Sequence, residues 1–167
     1  MAPIIRSLVY ASVFVGLVLV FLPARVLEWS GVARPPALGI AQIVGAVLTL
    51  VGGLLALLCV ITFAVVGRGT PAPFDPPRRL VIAGPYRFVR NPMYIGAGLT
   101  LIGVSVFYES LALLGFVLLF LLVVCAFILL YEEPTLRRMF GAEYDDYCAR
   151  VNRWLPRTRV AKRVDRD

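Results

Sequence analysis

Histidine is absent from all 167 residues, lysine occurs once, at Lys162, and cysteine three times, at Cys59, Cys125 and Cys148. Without histidine, a histidine general base and a histidine-ligated metal are both excluded. The cysteines stand too far apart for a zinc motif, so no metal is expected and the thiols are expected to be free. Charge is scarce as well: 16% of the residues are charged, where a soluble domain carries about a quarter. Together with 60% hydrophobic residues and a mean hydropathy of +0.85, this excludes an ordinary soluble globular domain.

What is present is apolar and comes in runs. Crossing roughly 30 Å of hydrocarbon takes about 20 helical residues, and four runs are candidates. The first covers residues 7–22 and extends past Pro23 to Val26 at most. No small-x-small cleavage site follows it, so it reads as a retained helix rather than a signal peptide. A polar loop over 25–36 ends in Arg34-Pro35-Pro36, a stop before a new helix. The second run, 37–66, holds no charge over 30 residues. As a helix it is roughly 45 Å long, so it is expected to tilt, to kink near Gly52-Gly53, or to project from the bilayer. The third, 93–108, is separated from the fourth, 111–131, only by Glu109 and Ser110, which forces an antiparallel hairpin. The expected fold class is therefore all-α: an integral-membrane bundle of about four transmembrane helices. No internal repeat interrupts it.

The net charge of +7 is unevenly placed. Residues 67–92 carry Arg68, Arg78, Arg79, Arg87 and Arg90 against Asp75, and residues 132–167 carry nine more basic residues. With four spans these segments share one side with Arg6, leaving only Arg25 and Arg34 opposite. The positive-inside rule then puts both termini in the cytoplasm. Orientation and attraction to anionic headgroups account for the surplus, and membrane lipids rather than nucleic acid are the expected partners. Arginine in place of lysine, with abundant alanine and valine, suggests a GC-rich bacterial source and hence a bacterial inner membrane.

Two polar segments carry chemistry. The loop after the second run ends in Gly84-Pro85-Tyr86-Arg87-Phe88-Val89-Arg90-Asn91-Pro92-Met93-Tyr94-Ile95-Gly96-Ala97-Gly98. Gly84-Pro85 makes a turn, and Asn91-Pro92 is a helix start, asparagine as cap and proline at the first helical position. Two arginines and two tyrosines thus gather where a helix enters the membrane. An interfacial belt with snorkelling arginines and a ligand site fit that cluster equally. The glycines at 96, 98 and 103 allow close approach of a ligand or, more commonly, of another helix.

The second segment begins where the fourth run ends, at Tyr131-Glu132-Glu133-Pro134. Adjacent carboxylates at a membrane exit point to function, although pairing with the loop arginines is the plain alternative. A short helix over 134–140, closed by Gly141, and another over 142–151 are expected to follow. Tyr144, Tyr147 and Val151 form one stripe on the latter, more suited to packing on the membrane domain than to binding a cofactor. The hairpin brings residues 91–98 beside Glu132-Glu133. The result is a pocket with an aromatic wall, two carboxylates and two guanidiniums, suited to a zwitterionic, adenine-bearing ligand.

The string from Gly84 to Gly98 is followed, one hairpin later, by Glu132-Glu133-Pro134-Thr135-Leu136-Arg137-Arg138-Met139-Phe140-Gly141-Ala142-Glu143-Tyr144-Asp145-Asp146-Tyr147, then Arg150-Val151 and Leu155-Pro156. In order and spacing this resembles the integral-membrane methyltransferases, the superfamily of isoprenylcysteine carboxyl methyltransferase and the phospholipid N-methyltransferases. The resemblance covers residues 84–156. It implies S-adenosylmethionine-dependent methyl transfer, with cofactor taken from the cytosol and a lipophilic small molecule or lipidated substrate from the bilayer. It implies cofactor binding by Tyr86, Arg90, Asn91, Pro92, Tyr94, Gly96, Gly98, Glu132 and Glu133, with a cytoplasmic helical tail over the pocket. On this basis residues 1–66 form an N-terminal pair of spans and 67–167 the methyltransferase region, built on the hairpin 93–131.

The family usually has histidine where this chain has Asn91, which hydrogen-bonds but does not titrate near neutrality. Methyl transfer from a sulfonium is a direct displacement that asks mainly for alignment and exclusion of water. Arg90, Arg87 and Glu133 are the expected catalytic residues, the arginines placing an acceptor carboxylate. With no histidine to take a proton, an anionic acceptor or a thiolate is favoured over an amine; a carboxylate of the isoprenylcysteine type is the expected acceptor, with a phospholipid amine or a hydrophobic thiol as the alternatives. A non-catalytic protein with a degenerate pocket is the alternative of another class. A transporter is disfavoured because no charged residue lines the spans.

Overall fold

The computed structural model describes residues 13, 15–32, 37–67 and 79–157, and among these the regular structure is helical throughout. Much of the first run, the Arg34-Pro35-Pro36 stop, residues 68–78 and the tail beyond 157 lie outside the described residues. Six α-helices are labelled in chain order: α1 Leu22–Trp29, α2 Ile40–Thr62, α3 Pro92–Phe107, α4 Leu111–Phe127, α5 Glu133–Phe140 and α6 Ala142–Arg150. Wide π turns precede α1 (Val15–Phe21), extend α2 (Phe63–Gly67), and join α4 to α5 (Ile128–Glu132).

Two of these turns stand next to prolines, at Pro23 and Pro134. Proline has no N–H for the helical ladder and its ring crowds the preceding turn. A π turn spreads that turn and lets the helix continue. The polar loop expected from Arg25 therefore begins only after α1, whose last residues include Arg25 and Glu28. Likewise the separate helix expected at 134–140 is continuous with the fourth run, giving one helix from Leu111 to Phe140.

Ile40–Gly67 and Leu111–Phe140 are long and apolar enough to cross a membrane. Pro92–Phe107 is apolar but, with 16 residues, spans only about 24 Å. Of the four expected spans, two are helices of full length among the described residues.

The tightest packing joins α2 to α3. A Cβ on Gly45 would lie 2.6 Å from the Gly103 carbonyl oxygen, and one on Gly52 would lie 2.5 Å from the Thr100 nitrogen and 2.6 Å from the Gly96 carbonyl oxygen. The contacts run in opposite order along the two chains, so the helices are antiparallel, backbone against backbone. α2 runs through Gly52-Gly53 as continuous α-helix. At one end of this pair the buried Gln42 donates from Nε2 to the Phe107 carbonyl (3.2 Å) and to Glu109 Oε1 (3.0 Å). Across the hairpin, α3 packs on α4 and the π turn that follows it through Ala97, Leu101, Val117, Phe120, Val124 and Ile128. The opposite end, where α2 finishes, α3 begins and α4 passes into α5, holds the polar residues.

Candidate cofactor site

Two short elements close over that end. Gly84 turns the chain with φ +56°, and a Cβ there would come within 2.8 Å of Thr62 Oγ1, so glycine meets both a conformational and a steric demand. Gly84–Arg87 form a 3-10 turn that seats Tyr86 beside Cys59 and Phe63. Above them α6 lays down Tyr144 and Tyr147, packed with Val151 against Leu80, Ile82, Leu136 and Phe140. Tyr147 donates its hydroxyl to the Tyr86 carbonyl at 2.6 Å. The expected stripe of Tyr144, Tyr147 and Val151 is thus a packing face, and its two tyrosines also face the pocket.

The ionic centre is Glu133. Arg153 holds it with a two-pronged grip, Nε to Oε1 and Nη2 to Oε2, each 2.8 Å. Arg90 Nη1 approaches Oε1 at 3.3 Å and donates to Cys148 Sγ at 2.6 Å. The Arg90 and Glu133 side chains are only 13% and 12% exposed. Such a pair is held where its charges are largely desolvated. Glu132 meets a hydroxyl rather than a cation: Tyr94 donates to its Oε2 at 2.9 Å.

Tyr86, Arg90, Asn91, Glu132 and Glu133 line one pocket with Tyr144, Tyr147, Phe63 and Leu136. Its free space, counted out to the solvent at its mouth, is about 430 Å³. Pro92 is buried at the start of α3, next in the chain to the pocket-lining Asn91. Tyr94 joins through Glu132.

Three expected site residues stand apart. Arg87 is exposed, its guanidinium 5.5 Å from the Phe88 ring centre. Gly96 faces the Gly52 carbonyl and the Ala56 nitrogen on α2, and Gly98 faces Leu121 on α4. The reason is periodicity: residues two apart on a helix point about 200° apart, so a Gly-x-Gly within one helix cannot open both backbones to one ligand. Asn91 occupies the cap position of α3 without capping it. Its amide turns instead to the Arg153 carbonyl, 3.5 Å away.

Arg153 was one of nine basic residues of the tail, with nothing local to mark it. The available signal was its distance from the Tyr144-Tyr147-Val151 stripe: the chain that follows a helix packed on the site has to pass over the site.

Burial is the largest effect on the aromatic hydroxyls of the cap. It pushes the Tyr86, Tyr144 and Tyr147 hydroxyls well above the ordinary tyrosine range, so all three stay protonated at neutral pH and serve as donors.

Comparison with known proteins gives two matches. A family model described as phospholipid methyltransferase matches residues 40–143, beginning at the first residue of α2. The chain is also 31% identical over 100 residues to the nickel-cobalt-cadmium resistance protein NccN of Alcaligenes xylosoxydans xylosoxydans, a stretch that covers 58% of this chain and 46% of that protein. The chain thus spans less than half the length of this curated relative. No solved structure matches it.

Proposed function

The chain belongs to the phospholipid methyltransferase family, and on that premise we propose that it transfers a methyl group from S-adenosylmethionine, at the cytoplasmic face of the membrane, to a lipophilic acceptor arriving from the bilayer. The observation that carries the reading is the pairing of two differently held carboxylates under an aromatic cap: Glu133 on two arginines and Glu132 on Tyr94.

The residues suit this cofactor. Among the described residues Arg90 Nε is a buried donor without a hydrogen-bond partner, and such an atom is costly unless a ligand uses it. It is suited to the cofactor's carboxylate. Glu132, free of a cation in its own contacts, suits an ammonium or ribose hydroxyls, and the rings of Tyr86, Tyr144 and Tyr147 offer faces for a purine or a sulfonium. When bound, S-adenosylmethionine supplies an electrophilic methyl carbon on sulfur.

The protein's part is placement. Tyr147 and Val151 seal the cap onto the loop and limit water. The three cap tyrosines, kept protonated by burial, do not take a proton near neutrality, and the chain has no histidine to do so. An acceptor that brings its own negative charge, a carboxylate of the isoprenylcysteine type or a thiolate, needs no base and fits this site best. The second reading, an amine headgroup of a phospholipid, is favoured by the description of the matching family and by Glu132, which among the described residues is held by the Tyr94 hydroxyl and not by an arginine.

Membranes containing the protein are to be given methyl-labelled S-adenosylmethionine with a farnesylated cysteine analogue in one arm and phosphatidylethanolamine vesicles in the other. Base-labile label in the first arm is the expected result. Label only in the lipid amine replaces it with the second reading, and label in neither, nor in a hydrophobic thiol, contradicts the enzyme assignment.

A further inference from the structure

We propose that Arg153 is a positioning residue for this site: its side chain fixes the Glu133 carboxylate, and the peptide bonds around it fix the backbone from which Arg90 and Asn91 project. The proposal rests on the cofactor reading above.

Two sets of bonds converge on the 152–153 segment. In the first, the Arg153 fork takes both Glu133 oxygens at 2.8 Å. A planar guanidinium meeting a carboxylate edge to edge sets direction as well as distance. Arg90 is the weaker partner, since its approach to Glu133 is 3.3 Å and the same Nη1 serves Cys148. In the second set, the Arg90 N–H donates to the Asn152 carbonyl at 2.9 Å and the Asn91 N–H to the Arg153 carbonyl at 3.3 Å. The Asn91 side chain reaches that same carbonyl.

The strap therefore ties the start of α3 to the start of α5, elements separated by the whole α3–α4 hairpin. Both contribute the charged groups of the pocket. The Arg153 side chain is 34% exposed, against 12% for Glu133, so the guanidinium comes to the carboxylate from the water side. That leaves the pocket side to Arg90 and the ligand.

The side-chain and main-chain roles separate by substitution. Arg153→Lys keeps the charge and every backbone bond but lacks the fork. The affinity of the full-length wild type, Arg153→Lys, Glu133→Gln and the double variant for S-adenosylhomocysteine is to be measured by calorimetry in nanodiscs, with thermal unfolding in parallel. Arg153→Lys is expected to weaken binding about tenfold, the loss of one charge-assisted hydrogen bond. In kinetics it raises KM for S-adenosylmethionine while KM for the acceptor and kcat at saturation stay unchanged. In the Glu133→Gln background the same substitution changes affinity less than about twofold, because the amide offers no charge and one acceptor oxygen where the fork takes two.

Unchanged affinity in Arg153→Lys, equal effects in both backgrounds, or loss of folding in Arg153→Lys would each overturn the proposal, the last by making Arg153 a structural residue. Wild-type protein that binds no S-adenosylhomocysteine overturns the cofactor reading and this proposal together. Wild-type binding with Arg153→Lys unchanged overturns the proposal alone.

Discussion

Replacing Arg90 with alanine is expected to abolish measurable cofactor binding and to lower the thermal unfolding midpoint. The guanidinium and the Glu133 carboxylate it approaches are both nearly buried. Removing one partner of a buried pair costs about 3–5 kcal/mol, because the other charge is left in a poor solvent. Here Arg153 still holds Glu133, so the structural loss falls near the lower figure. The functional loss is larger, since Arg90 also carries the buried Nε donor that faces no protein acceptor among the described residues. Calorimetry with S-adenosylhomocysteine reads the first effect and thermal unfolding in detergent the second. Binding of wild-type strength in a folded Arg90→Ala variant contradicts the assignment of Arg90 to the cofactor.

The second large effect is steric. Gly52→Val is expected to destabilise the bundle by roughly 3 kcal/mol or more, at the upper end of overpacking costs. The new Cβ would sit 2.5 Å from a backbone nitrogen of α3 and 2.6 Å from a backbone oxygen. Neither can swing aside as a flexible side chain would. The helices then have to part, and α3 carries Asn91, Pro92 and Tyr94 away from Glu132. Gly53 supplies the control: it meets nothing within 4 Å, so Gly53→Ala removes a helix-interior glycine and is neutral or stabilising by up to about 1 kcal/mol. Chemical denaturation of both variants in the same detergent checks the pair. Equal stability losses at the two positions contradict the close α2–α3 contact.

The bundle was legible in the sequence because apolar length is a composition property: the runs at 37–66, 93–108 and 111–131 coincide with α2, α3 and α4 to within a few residues. What eluded it depends on backbone detail. A π turn leaves no mark in composition, so Pro134 read as the start of a separate helix where the chain carries the fourth run through it without a break. The glycines of α3 signalled close approach, but which surface approaches is a tertiary matter. Gly45 and Gly52 on α2 meet Gly103 and Gly96, and Gly98 turns away to Leu121. Asn91 and Pro92 marked the start of α3 correctly, yet the asparagine side chain answers a carbonyl 62 residues later instead of its own helix. In the same way the Glu132-Glu133 pair announced itself by its place at a membrane exit, whereas Arg153 was one cation among many. A charge in a basic tail gains a role only when the fold returns it to a buried carboxylate.

The family match supports methyl transfer, and the site turns that into a claim about named residues: this chain binds S-adenosylmethionine in the pocket between Arg90, Glu132, Glu133 and the α6 tyrosines. Calorimetric titration of the purified full-length protein with S-adenosylhomocysteine tests it most directly. The expected result is saturable one-to-one binding that is lost in Arg90→Ala and in Glu133→Ala while both variants stay folded. Absence of binding by the wild-type protein, or binding that survives both substitutions, would contradict it.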